Sequence, residues 1–105
     1  MQLTSYLQDG MLTIVLTGEI DHHCAKHYIQ TITAKIEAYT PQICILDFQE
    51  VSFVDSSGIA VVINALRNMT QIEGQLLLTG IAQQPMREFR ASGIDKLVEI
   101  REAVS

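Results

Sequence analysis

Strand-like and helix-like runs alternate along this chain and predict an α/β domain. The expected architecture is one mixed sheet of about four to five strands covered by helices, in the order β-β-α-β-α-β-α-β. Three observations carry the prediction. Asp9-Gly10 separates two strand-like runs, a strong hairpin signal because glycine accepts the positive φ of a tight turn. Ile43-Cys44-Ile45-Leu46-Asp47-Phe48 is apolar on both faces apart from Asp47, as a central strand under helical cover should be. Between and after these runs, apolar residues recur at helical spacing.

The elements follow in order. Leu3 to Gln8 and Met11 to Leu16 form the hairpin, and Thr17-Gly18 closes its second strand. Asp21 is placed to cap a first helix, whose apolar face is Ala25, Tyr28, Ile29, Ile32, Ile36 and Tyr39. Pro41 ends that helix. After the central strand, Val51-Ser52-Phe53 reads as a short extended piece. A second helix is expected from about Ser57 to about Met69, with Gly74 in the turn behind it. Gln75 to Thr79 reads as an inner strand closed by Gly80. Pro85 suits the first position of a short helix carrying Met86, Phe89 and Arg90 and stopping near Gly93. Leu97 to Ile100 reads as the last strand.

Composition narrows the classes of function. At 105 residues, 48% hydrophobic and 18% charged, residues 1–105 suit one globular domain with a two-layer core. No apolar run reaches the roughly 18 residues of a membrane span. The start, Met1-Gln2-Leu3-Thr4-Ser5-Tyr6, has neither a basic patch nor an apolar core, so no signal peptide and a cytoplasmic location are expected. The net charge is -5 with no basic cluster, which argues against nucleic-acid binding through phosphate neutralisation. Without export, Cys24 and Cys44 are expected to be free thiols and the Asn68-Met69-Thr70 glycosylation match to be chance.

The stretch with chemistry is Asp55-Ser56-Ser57-Gly58, between a strand and a helix. Free backbone N–H groups and the positive end of the helix dipole meet at such a place, which suits a phosphate. Ser56 is therefore a candidate switch, with Ser57 its rival. Asp21 and Asp55 both sit in loops that follow strands, so they are expected at one end of the sheet, near Ser56. The plainer alternatives are that Asp21 and Asp55 are helix caps and that Ser56 is an unmodified N-cap.

A metal site in Asp21-His22-His23-Cys24 is not expected, because adjacent helical side chains point about 100° apart. His23 and His27 have i, i+4 spacing without a third ligand. His22, His23 and His27 are placed instead on a solvated or partner-facing surface. A serine hydrolase is also not expected. Ser56 lacks the Gly-x-Ser-x-Gly pattern, since Val54 stands two residues before it, and no oxyanion-hole motif is visible. No cofactor is expected.

Gly18-Glu19-Ile20-Asp21-His22-His23, followed at this spacing by Asp55-Ser56-Ser57-Gly58, resembles the STAS domain family. Within it the chain is most similar to bacterial anti-sigma factor antagonists, those of sporulation in particular. The resemblance covers nearly the whole chain. It implies a helix-flanked sheet and partner switching. The unphosphorylated antagonist binds an anti-sigma factor, itself a serine kinase, and so frees a sigma factor. The kinase phosphorylates the antagonist to end the interaction, and a serine phosphatase resets the cycle. By motif position Ser56 corresponds to the acceptor and Asp21 to the motif carboxylate, with Asp21, His22, His23, Asp55, Ser56, Ser57 and Gly58 as the partner-binding set. The family also includes scaffold modules of signalling complexes and regulatory modules of anion transporters, which is the alternative role. Two features depart from the family pattern. A further helix usually follows the last strand, whereas this chain ends Arg101-Glu102-Ala103-Val104-Ser105, and Ile59-Ala60 replaces Leu-Gly. The second change is expected to bear on packing.

Overall fold

A computed structural model describes residues 3–102; Met1, Gln2 and the Ala103-Val104-Ser105 end of the chain lie outside the described residues. Strand β1 (Leu3–Gln8) and strand β2 (Met11–Ile20) form the hairpin. Its turn has Asp9 at φ 53° and Gly10 at φ 79°, the two positive values that match the twist of paired strands. Helix α1 (Ala25–Tyr39), strand β3 (Ile43–Val54), helix α2 (Ser56–Gln71), strand β4 (Gln75–Thr79) and helix α3 (Gln83–Ser92) follow. A 3-10 turn over Ile94–Lys96 leads into strand β5 (Glu99–Arg101). The order is the predicted one.

The five strands lie in sequence order, β1-β2-β3-β4-β5. β1 is antiparallel to β2, and the remaining pairings are parallel. The parallel connections pass through helices, as their length requires. β3 is central. Leu12, Ile14 and Leu16 of β2, Cys44, Leu46 and Phe48 of β3, and Leu76 and Leu78 of β4 join one core cluster with residues of all three helices. Tyr28, Ile32 and Ile36 come from α1, Val61, Val62, Ala65 and Met69 from α2, and Phe89 from α3. Phe89 meets Phe48 edge to face with ring centroids 5.4 Å apart. The opposite residues of β3, Ile43, Ile45 and Asp47, are half-buried, so among the described residues the helical cover lies on one face of the sheet.

Several boundaries differ from expectation. β2 does not close at Thr17-Gly18 but continues to Ile20, and Val51-Ser52-Phe53 is no separate piece but the end of β3. Two irregularities explain why this was hidden. Between Val15 and Thr17 the partner register advances from Asp47 to Glu50, and between Gly18 and Glu19 it advances from Val51 to Phe53. Each shift gives β3 one residue more than β2, which is a bulge. The inward positions become Phe48, Val51 and Val54, a spacing of three that breaks the strand's period of two.

α1 begins at Ala25 with Cys24 as its N-cap, so Asp21 does not cap it. Tyr39, placed on the apolar face, is 49% exposed at the helix end. Pro85 is the third residue of α3 rather than the first. It costs no hydrogen bond there either, because the first four helical N–H groups have no partner within the helix. Leu97, expected in the last strand, follows the 3-10 turn and is 65% exposed.

Candidate functional site

Parallel pairing builds the site. Ile20 and Val54, the last residues of β2 and β3, are register partners. The Asp55 N–H donates to the Ile20 carbonyl at 3.3 Å. Asp21 and Asp55 therefore leave adjacent strands side by side, at one end of the sheet as topology predicts.

Asp55 is the N-cap of α2. Its backbone is extended, and its carboxylate accepts from the N–H groups of Ser57 at 2.8 Å and Gly58 at 3.4 Å. The cap reading holds for Asp55 and not for Ser56, which is the first helical residue. Ser56 is exposed and Ser57 half-buried. Gly58 is buried for a steric reason. A Cβ built on it would come within 2.4 Å of Val54 Cγ1, 3.1 Å of the Ile20 carbonyl oxygen and 3.3 Å of Ile20 Cγ2. The first turn of α2 is thus pressed onto the two strand ends, with Ser56 exposed on it.

Asp21 organises the neighbouring turn. Its carboxylate accepts from the His23 N–H at 2.9 Å and lies 3.5 Å from His23 Nδ1. Its backbone carbonyl accepts from the N–H groups of Cys24 at 3.2 Å and Ala25 at 3.0 Å. The hydrogen bond from the His23 backbone holds the Asp21 carboxyl below the usual carboxylate range. His22 and His23 are exposed, their ring centroids 3.9 Å apart. The Cys24 thiol donates to the Glu19 carbonyl at 3.3 Å. Cys24 and Cys44 are both free thiols.

Residues 18–24 and 55–58 hold the carboxylates Glu19, Asp21 and Asp55 and no lysine or arginine. The rim is acidic, and the positive counterpart within it is the start of α2. The expected residues thus occupy the turn after β2 (Asp21, His22, His23) and the cap and first turn of α2 (Asp55, Ser56, Ser57, Gly58), on adjacent strand ends. Among the described residues no group of three or more His, Cys, Asp or Glu side chains could hold a metal. Among the described residues no helix is long and apolar enough to cross a membrane.

Sequence reasoning missed one member. Gln84, the second residue of α3, bonds to both backbone groups of Val54 through its side-chain amide. No sequence signal marks it, since the two residues are 30 positions apart.

The sequence profile described as STAS domain matches residues 2–105. The chain is 30% identical over 83 residues to an anti-sigma F factor antagonist of Lysinibacillus sphaericus, covering 79% of this chain and 71% of the other. It is 28% identical over 93 residues to an anti-sigma-B factor antagonist of Listeria monocytogenes, covering 86% and 78%. The fold is similar to that of the phosphorylated Bacillus cell fate determinant SpoIIAA, with a TM-score of 0.77 and 24% identity over 99% of this chain and 93% of the other.

Proposed function

We propose that this chain, which belongs to the STAS domain family, acts as an anti-sigma factor antagonist whose partner binding is switched by phosphorylation of Ser56. The observation that carries the proposal is the position of Ser56: exposed, on the first turn of α2, beside the turn that Asp21 organises. The relatives named as antagonists of anti-sigma factors support the partner class. The protein acts in the cytoplasm as a regulator rather than an enzyme. Of the two histidines of the site, His23 lies beside the Asp21 carboxylate.

The switch follows from charge. Unphosphorylated, the turn after β2 and the first turn of α2 form an acidic docking surface for an anti-sigma factor that is also a serine kinase. A phosphoserine adds about -1.5 to -2 charge near pH 7. At the start of α2 the free N–H groups and dipole tolerate that charge, so the fold persists. A partner seated on Ser56 would instead meet new bulk and a doubly charged group that must be desolvated, set among the carboxylates Glu19, Asp21 and Asp55. A loss of about 3 kcal/mol weakens binding more than a hundredfold. A serine phosphatase then restores the binding form. In this reading Asp21 orients the hydroxyl or the kinase during transfer, and His22 and His23 line the docking surface.

The test is phosphosite mapping by mass spectrometry after incubation with ATP and the anti-sigma factor kinase that binds the chain. One phosphoryl group on Ser56 is expected. A phosphate on Ser57 would keep the switch and move the acceptor. No modification, with a kinase active on another substrate, would overturn the switch.

A further inference from the structure

β3 outruns its neighbour on one side. β2 accompanies it to Val54, whereas β4 pairs with it only over Ile43–Asp47. Among the described residues the far end of β3 therefore has no strand on its β4 side. Val54 is fully buried, and buried backbone groups must find partners.

Gln84 supplies them. The Val54 N–H donates to Gln84 Oε1 at 2.9 Å, and Gln84 Nε2 donates to the Val54 carbonyl at 3.0 Å. A side-chain amide offers the same donor and acceptor as a peptide unit. Gln84 thus replaces the missing rung of the ladder from the start of α3. On the other side, the Ile20 carbonyl holds the N–H of Asp55. The residue so clamped carries the site directly. Asp55 follows it and caps α2, and Gly58 rests against its Cγ1 atom.

We propose that Gln84 is the positioning residue of the Ser56 site. It couples α3 to the first turn of α2 through Val54, and its role as a regulator of Ser56 rests on the phosphorylation reading above. Displacement of the start of α3, by a ligand or a partner, would then alter how Ser56 is presented without touching it.

Gln84→Met is the test, because it keeps the length of the side chain and removes both hydrogen bonds. Gln84→Glu is the second variant. It retains an acceptor for the Val54 N–H but sets a carboxylate oxygen against the Val54 carbonyl. Leu76→Val is the control; it perturbs the buried start of β4, which pairs with Cys44 at the opposite end of β3. The readout is amide hydrogen exchange at Ser57 and Gly58, whose N–H groups the Asp55 carboxylate holds. Exchange about tenfold faster in Gln84→Met, somewhat less in Gln84→Glu, and unchanged in Leu76→Val is expected. Wild-type exchange in both Gln84 variants, or equal acceleration in the control, would overturn the coupling.

A second arm measures kcat/KM for phosphorylation by the kinase that modifies the wild type. A fall of about tenfold in Gln84→Met at unchanged kinase activity is expected. Unchanged kcat/KM alongside faster exchange would overturn the functional role and leave a structural clamp. A wild type that accepts no phosphate would refute the Ser56 reading instead, while the exchange result still decides the clamp.

Discussion

Replacing Gly58 by alanine adds one methyl group where α2 presses on the strand ends. The added carbon would sit 2.4 Å from Val54 Cγ1 and 3.1 Å from the Ile20 carbonyl oxygen. Neither neighbour yields easily. Val54 is fully buried with a stiff, branched side chain, and the second contact is backbone. Overpacking of this kind costs about 1–3 kcal/mol. Alanine recovers at most about 1 kcal/mol of helix propensity over glycine. A net loss of about 1–2 kcal/mol is expected, which lowers Tm by about 4–8 °C per kcal/mol in a domain of this size. The assay is a double-mutant cycle by chemical denaturation. Val54→Ala alone should cost about 2 kcal/mol for the buried methyl groups it deletes. In that background the principal clash is gone, so Gly58→Ala should be nearly neutral and the two changes should couple by at least about 1 kcal/mol. Additivity within about 0.5 kcal/mol would refute the contact, and a Gly58→Ala variant as stable as wild type would refute the steric account of Gly58.

Three further outcomes are expected. Ser56→Asp should fold with an unchanged melting temperature yet bind the anti-sigma factor at least about a hundredfold more weakly, while Ser56→Ala binds and resists switching; equal affinity of wild type and Ser56→Asp in a titration would count against the switch. Asp55→Ala should cost about 1–2 kcal/mol for the lost cap and its charge at the helix start, whereas Asp55→Asn, which keeps an acceptor for the Ser57 N–H, should cost clearly less in the same denaturation experiment. Burial pushes the Cys44 thiol up to about 12 from its ordinary 9.0. The unfolded chain thus releases this proton first, so stability should fall as pH rises from about 9 towards 12, by about 1.4 kcal/mol per unit; Cys44→Ala should flatten that slope, and an unaltered slope would disprove its origin.

The hairpin was legible because its signal is local. Asp9 and Gly10 are neighbours, and the turn they form depends on their own φ preferences. The strand Gln75–Thr79 and the helix expected from about Ser57 to about Met69, which runs Ser56–Gln71, were legible for the same reason, and Asp55 was a candidate cap. Each is written in spacings of two, three or four residues along the chain. Misreadings fall at element ends, where neighbouring segments decide. Gly18 looks like a strand end, yet β2 runs on to Ile20 because β3 bulges beside it. Asp21 has a helix-capping residue type, yet its carboxylate is taken by His23 and the helix starts at Ala25.

The same division holds for the site. Sequence alone determined the α/β order, the family, and the two motifs that hold Asp21 and the Asp55–Gly58 turn. These follow from residue types at short spacing, where the chain itself enforces proximity. Strand order already suggested that the motifs meet at one end of the sheet; only the tertiary structure decided the register that joins Ile20 to Val54, that Ser56 is exposed while Gly58 is pressed inward, and that Gln84 clamps Val54 from 30 residues away. Those facts depend on strand register, bulges and an unpaired strand end. Each is set by which segments lie beside one another in the folded sheet, a quantity that no local preference along the chain encodes.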